Sequence, residues 1–355
     1  MPSKKTVADI AAAESAQVKS LKESLRVMEN RLNSLRLEAG SMENFIEDVC
    51  ASVSPIKPLA PCYRKGKAKK KVSTPVEACL HLTDWHIGEV VMSGETEGIN
   101  QFSPEIADQR LKRLGEVFVD RIDVRRQGYE LHTLRILCTG DFISGDIHPE
   151  LTTTNSYPVP VQCAEAGHKL AALVSGLAPH FSAVEVDFIT MDNHSRLTRK
   201  LQFSQGGLNS HGYIVATVAR LMLSSQKNVT FNIHTGDSVI VEVCGWKFLL
   251  RHGHTIRGQM GIPYYGFDRS TRNQSRMRIN NPNMENFDIM LCGHFHAPAR
   301  MGGIGHGVSW WIGGCLAGTT ALDHSFDRFA PPCQTAFLVH PKNGDLDYNV
   351  FNLDR

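Results

Sequence analysis

The stretch Leu291-Cys292-Gly293-His294-Phe295-His296 decides how this chain reads. Phe287 to Cys292 is an apolar run of a length that fits a buried strand. Gly293 stops it, and two histidines follow with one residue between them. In extended backbone, positions i and i+2 face the same side. His294 and His296 are therefore expected to aim two imidazoles into one cleft, as a transition metal requires. His-x-His alone is a weak signal, and four similar punctuations upstream give it weight.

Each upstream case is an apolar run that ends in ligand-type residues. Ala78–Thr83 delivers Asp84 and His86, and Leu131–Thr139 delivers Gly140-Asp141. Val184–Met191 delivers Asp192-Asn193-His194, and Trp246–Arg251 delivers His252-Gly253-His254. Any one of these has a dull explanation as a turn or a cap. Together they fit the rule that ligands in open α/β sheets gather at the carboxyl ends of strands. Two carboxylates, an amide oxygen and four imidazoles are too many for one tetrahedral zinc. They suit two cations of higher coordination sharing a carboxylate. The set holds no cysteine, which argues against a structural zinc.

The remaining pattern supplies a frame for these strand ends. Ser103-Pro104-Glu105 opens a helix running to about Gln127, and Gly128 ends it. Pro160–Leu177 and Gly212–Ser225 read as helices. Strands are expected at Val229–Ile233, Ser238–Val243, Ser309–Ile312, Thr335–His340 and Asp347–Phe351. The early part alternates strand and helix and the late part is mostly strand. That predicts an α/β (α+β) class, with two packed mixed sheets and helices outside. Between His254 and Phe287 the chain reads as a polar loop, with Arg269, Arg272, Arg276 and Arg278 lacking matching acids.

Upstream of residue 78 the composition changes. Residues 1–53 carry Val18, Leu21, Leu25, Met28, Leu32, Leu35, Ala39, Met42, Ile46 and Val49 in 3-4 spacing, a coiled-coil pattern blemished by Gly40. An amphipathic helix packed on its own protein would show the same periodicity. Antiparallel pairing of two copies would oppose Lys22 with Glu43, Glu29 with Arg36 and Arg31 with Glu38, all attractive. A homo-oligomer through this helix is therefore expected. Residues 54–77 are a Pro- and Lys-rich linker. The window 51–76 holds seven basic residues and no acid, so with a whole-chain charge of +2 the rest carries −5. The linker is either a solvated tether or an arm that neutralises nucleic-acid phosphates. Residues 78–355 form the expected catalytic domain. No apolar run is long enough to span a bilayer, and Met1–Ile10 lacks a signal core. Nine cysteines without a Cys-x-x-Cys pair fit a reducing, cytoplasmic setting.

Asp-x-His, Gly-Asp, Asn-His, His-Gly-His and Gly-His-x-His, in this order, resemble the calcineurin-like metallophosphoesterases, from Ala78 to the C-terminus. The resemblance implies a double β-sandwich flanked by helices. It implies that Asp84, His86 and His296 hold one divalent metal, that Asn193, His252 and His294 hold the other, and that Asp141 bridges both. A hydroxide between the cations would attack phosphorus, and His194 would stabilise charge or protonate the leaving oxygen. Manganese is the expected metal, with zinc, iron, nickel or magnesium as alternatives. The family's usual Gly-Asn-His-Asp/Glu is here Asp192-Asn193-His194-Ser195, so another group, Asp192 for example, must orient His194. His254 is expected to contact substrate, with its exchange for His252 as ligand the alternative.

Within that family the block Gly140-Asp141-Phe142-Ile143-Ser144-Gly145-Asp146-Ile147-His148 and the Asn193-His194-Ser195-Arg196 block look like phage- or prophage-encoded exonucleases of the SbcD type. That would place the protein in a host cytoplasm. Such enzymes commonly carry a histidine where this chain has Ser144, and His148 is a candidate to take its place at the substrate. Exonuclease and nicking endonuclease both stay open. Arg196, Arg199 and Lys200 beside the expected site, the basic linker and the arginines after His254 favour DNA as substrate. The alternative is a phosphomonoesterase or a nucleotide or cyclic-nucleotide phosphodiesterase.

Overall fold

A computed structural model describes residues 75–258, 263–305, 307 and 309–354. In the N-terminal segment it describes residues 19, 22–26, 28 and 30, all helical and exposed. The chain divides into two compact units, Met1–Lys71 and Val72–Arg355. The expected coiled coil, its pairing and the basic linker lie outside the described residues, apart from those few helical positions and Pro75–Glu77.

The second unit is built on two mixed sheets. The first has six strands in the order β11-β10-β1-β2-β3-β4. Strands β1 (Glu77–Leu82), β2 (Thr133–Cys138), β3 (Ala183–Ile189) and the edge strand β4 (Val229–His234) run parallel. Strands β10 (Cys333–His340) and β11 (Gly344–Asn352) add antiparallel at the β1 edge. The crossovers are α1 (Pro104–Arg125), α3 (Val159–Leu177, after the single-turn α2, Leu151–Thr154) and α4 (His211–Met222). Ser103 caps α1 by accepting from the Ile106 N–H, with Pro104 at its first position. The second sheet, in the order β5-β6-β7-β9-β8, holds β5 (Val239–Val243), β6 (Trp246–Leu250), β7 (Ile289–Cys292), β8 (Ala299–Met301) and β9 (Ser309–Ile312).

Strand alternation sorts the core into three layers. Leu80, Leu82, Leu134, Ile136, Val184 and Val186 face α1, α3 and α4. The opposite faces, among them Cys79, Leu137 and Ile189, meet Phe248, Leu250, Leu291 and Trp311 of the second sheet. On that sheet's far side Leu249, Met290 and Trp310 pack against Phe267. The architecture is the expected one: helices, sheet, sheet, helix. Phe337 on β10 joins the sheets, with its ring centroid 5.7 Å from Phe248 and 4.9 Å from Trp311.

One segment departs from expectation. The polar loop read between His254 and Phe287 contains α5 (Tyr264–Ile279). Its buried stripe is Phe267, Thr271, Ser275 and Arg278, at helical spacing but with one strongly apolar member, so hydrophobic periodicity does not show it. Nor are its arginines all free. Arg272 pairs with Asp268 at 2.9 Å, and Arg278 is buried and donates to the Glu285 carbonyl at 3.1 Å. Strand β8 and the short α6 (Ala321–Ser325) were also not legible.

Phe337→Ala removes the ring that both sheets share. We expect a loss of about 3–5 kcal/mol, as for large aromatic truncations in cores. Denaturant unfolding monitored by tryptophan fluorescence reads it, and a loss below about 1 kcal/mol would show that the sheets do not depend on this contact.

Candidate metal centre

The carboxyl ends of β1, β2, β3, β6 and β7 lie together and bring the sequence-predicted residues into one cluster. The connections are backbone bonds between the loops that leave the strands. Asp84 N–H donates to the Gly140 carbonyl at 3.0 Å and His86 N–H to that of Asp141 at 3.1 Å. Gly293 N–H donates to the His252 carbonyl at 2.9 Å, tying the two histidine loops of the second sheet. His294 N–H reaches across to the Asp84 carboxylate at 2.9 Å, and Thr83 Oγ1 donates to the same oxygen at 2.6 Å. A Cβ on Gly293 would stand 1.9 Å from Thr83 Oγ1, so this crossing requires glycine.

The mechanism that aims the histidines differs from the expected one. β7 ends at Cys292, and His294 and His296 have φ of 73° and 59°. Strand alternation does not operate in that left-handed region. Asp84, His86 and Asp141 share it, with φ of 53°, 49° and 52°. Non-glycine residues held there cost about 1–3 kcal/mol each and cluster at functional sites.

Two lobes meet at Asp141. In the first, His86 Nε2 and His296 Nε2 face each other at 3.1 Å, with Asp84 Oδ1 3.9 Å and 3.7 Å away. Two ring nitrogens bound at about 2.1 Å to one cation in a cis arrangement would be about 3 Å apart. In the second, His252 Nε2 lies 2.8 Å from Asn193 Oδ1 and 2.9 Å from Asp141 Oδ2. The His294 ring completes a donor group with Asp141 and His252. His252 Nδ1 sits 2.8 Å from the Thr139 carbonyl, which only accepts, so Nδ1 carries the proton and Nε2 faces the cluster.

Asp141 also belongs to a group with His86 and His194, and the His194 N–H donates to its Oδ1 at 3.0 Å. The His194 ring is oriented through Nδ1, 2.6 Å from the Ser144 carbonyl. This corrects the expectation that Asp192 would do so. Asp192 accepts from Asp141 N–H at 3.0 Å and from Ser195 N–H at 2.6 Å, which fixes the backbone on either side of the ring instead. Ser144, where a histidine was the family expectation, contributes its carbonyl.

The predicted substrate contacts are less uniform. His148 is exposed, its ring 6.3 Å from that of His194. His254 lies 5.6 Å from His252, belongs to none of the donor groups among the described residues, and has both nitrogens buried without partners. Burial, then the His252 charge, pushes its pKa down to about 3. Arg196 turns back on its own loop, donating to the carbonyls of Asn193, Thr198 and Arg199. Arg199 and Lys200 are exposed beside it. Arg257, which the sequence did not single out, joins Arg269 in a pocket of about 330 Å³ lined also by Thr255, Ser270, Asn273 and Gln274, with no acid.

Two residues inside the cluster were missed as well. Asp323, in the capping box of α6, places Oδ2 3.1 Å from His296 Nδ1, a carboxylate behind a ligand-type imidazole. Cys315 is buried within the group formed with His86 and His296, so the statement that the donor set holds no cysteine is corrected. The signal was present: the run Ser309–Ile312 ends in Gly313-Gly314-Cys315, a sixth strand end of the same kind.

No known protein family's pattern matches the chain, and no curated protein matches it. Among solved structures it is similar to Vps29 of Entamoeba histolytica complexed with zinc, at 11% identity over 78% of this chain and 99% of that one, TM-score 0.28. It is similar to a protein of Streptococcus pneumoniae described as a predicted phosphoesterase, at 11% identity over 53% and 84%, TM-score 0.28. It is also similar to the sulfate thiohydrolase SoxB of Thermus thermophilus, at 9% identity over 79% and 57%, TM-score 0.29. Function therefore has to be read from the side chains. Among the described residues no helix is long and apolar enough to cross a membrane.

The charges in the cluster set a pH dependence. Burial raises the Asp141 carboxyl, but His252, His194 and His86 outweigh it and hold it well below its ordinary value. Burial lowers the His252 ring, yet Asp141 overrides that and raises it to about 9. Below that value a proton occupies the ring and must leave before a cation can bind at Nε2. Affinity for a divalent ion should therefore rise with pH up to about 9, with release of protons. Calorimetric zinc titrations at about pH 6 and about pH 8, in buffers of different ionisation enthalpy, read both effects. An affinity independent of pH would remove His252 from the binding set.

Proposed function

We propose that this chain is a metal-dependent phosphodiesterase that hydrolyses DNA. The observation that carries the metal-dependent part is the convergence of Asp84, His86, Asp141, Asn193, His252, His294 and His296 from five strand ends, in two lobes that meet at Asp141. Asp84, His86 and His296 would hold one divalent cation, Asn193, His252 and His294 a second, and Asp141 would bridge them. Cations bound there would lower the pKa of water and polarise phosphoryl oxygens.

The chain's own groups supply the rest. His194 Nδ1 donates to the Ser144 carbonyl, so Nε2 of the neutral ring turns a lone pair to the site and must take up a second proton before passing one to a leaving oxygen, and burial, which lowers the ring's pKa, makes that second proton easy to give up. Asp192 keeps that loop joined to the Asp141 loop. His254 is neutral at physiological pH and offers a hydrogen bond without adding charge. DNA is favoured over a small phosphoester by Arg257 and Arg269. Their pocket lies just past His254, and among the described residues neither has an acidic partner. Tyr264, stacked on Trp310 at 5.6 Å, and Tyr265, with Arg269 over one face, are both exposed, and the remaining face of each is a surface on which a base can stack. Arg199, Lys200 and the basic run 57–71 add positive charge for a polyanion.

Supercoiled plasmid incubated with manganese should be nicked or degraded by the parent and left intact by Asp141→Ala. No DNA product beside vigorous turnover of nitrophenyl phosphate esters would replace this reading with the phosphomonoesterase or nucleotide phosphodiesterase one. His194→Ala should slow DNA cleavage by about 10²–10⁴-fold. It should slow cleavage of a nitrophenyl diester far less, because that leaving group needs little protonation. Equal losses on both substrates would deny His194 the role of acid.

A further inference from the structure

Cys315 is unused by the function proposed above, although it sits inside the cluster. It is fully buried, and its sulfur lies within 4.8 Å of a ring nitrogen on each of His86 and His296. Those two rings face each other at 3.1 Å and share Asp84 as their nearest carboxylate on that side. The backbone that carries the sulfur is pinned on both sides. Leu316 N–H donates to the Asp84 carbonyl at 2.9 Å, and Cys333 N–H donates to the Cys315 carbonyl at 2.8 Å. The preceding Gly314 allows this, because a Cβ there would stand 2.4 Å from the Cys333 carbonyl oxygen. The thiol's other contact among the described residues is a long approach of 3.9 Å to the Gly318 carbonyl. The thiol lies at the border of the apolar core, and its sulfur shares a donor group with two imidazoles that face each other, the position a ligand would take.

The geometry points to Cys315 as a thiolate ligand, together with Asp84, His86 and His296, of the cation on that side of Asp141, and hence to a centre whose two positions prefer different metals. The inference rests on reading the cluster as a metal centre. As the metal–sulfur bond forms, the thiol proton leaves to solvent. Two imidazoles, a thiolate and Asp84, with Asp141 as the shared fifth donor, suit zinc, and thiolate selects such thiophilic ions over manganese or magnesium. The other position, with Asn193, His252, His294 and Asp141, offers no sulfur among the described residues and suits a harder ion.

The test uses the full chain, stripped with chelator and loaded to saturation with cobalt(II). Weak visible bands report cobalt binding by any ligands, and a strong near-ultraviolet charge-transfer band reports thiolate. The parent should show both, and Cys315→Ser should keep the visible bands and lose the charge-transfer band. In competition, the parent's preference for zinc over manganese should fall at least about tenfold in Cys315→Ser. Visible bands without charge transfer in the parent, or a charge-transfer band unchanged in Cys315→Ser, would overturn the inference and leave the metal centre standing. Failure of the parent to bind cobalt or zinc at all would overturn both. If Cys315→Ser does not fold, zinc K-edge absorption of the parent decides: a sulfur neighbour at about 2.3 Å supports the inference, and a shell of nitrogen and oxygen alone overturns it.

Discussion

The site depends on two sheets holding their relative position. Asp84, His86, Asp141, Asn193 and His194 follow strands of the first sheet, and His252, His294, His296 and Cys315 follow strands of the second. Neither sheet owns a complete set of donors. Short contacts join the halves, among them His294 N–H to the Asp84 carboxylate, His252 to the Thr139 carbonyl, to Asp141 and to Asn193, and Leu316 N–H to the Asp84 carbonyl. They sit at the end of an apolar layer built from Phe248, Trp311 and Phe337. Interiors packed to crystal-like density deform little, and that stiffness keeps left-handed Asp84, His86, Asp141, His294 and His296 from relaxing into ordinary backbone.

The same packing creates an electrostatic problem that the cluster answers by pairing. Asp84 and Asp141 are both buried, and an isolated buried carboxylate is costly. Asp141 is surrounded by His252, His194 and His86 and stays ionised. Asp84 instead receives the Thr83 hydroxyl and the His294 amide. On the far side of the His296 ring, Asp323 accepts the ring proton, and burial, which raises its carboxyl, is outweighed by His296 and Thr320, which bring it down to about 2. Each ligand-type imidazole with a partner on its outer nitrogen is thereby fixed in one tautomer once it has lost its second proton, with the inner nitrogen turned to the shared space.

Much of this was legible because strand ends leave a plain mark: an apolar run, then glycine or a turn, then ligand-type residues. That mark picked out all seven residues that the structure gathers into the cluster, and it would have picked out Cys315 had the run ending at Ile312 been treated like the others. Helix α5 was not legible, since its buried stripe uses Thr271, Ser275 and Arg278 in place of aliphatic side chains. Asp323 was not legible either, because a single carboxylate in a one-turn helix has no periodicity to announce it.

The sequence by itself determined the two-sheet class, the strand ends and the residue types available at each, because burial forces apolar periodicity and polar groups must emerge where strands stop. The tertiary structure decided which donors share a lobe, that Ser144 and not Asp192 orients His194, that Arg196 serves its own loop, and that Cys315 belongs to the cluster. Apart from Arg196, whose partners lie two or three positions away, those relations join residues tens to hundreds of positions apart, and their distances follow from how the two sheets pack, which no local pattern encodes.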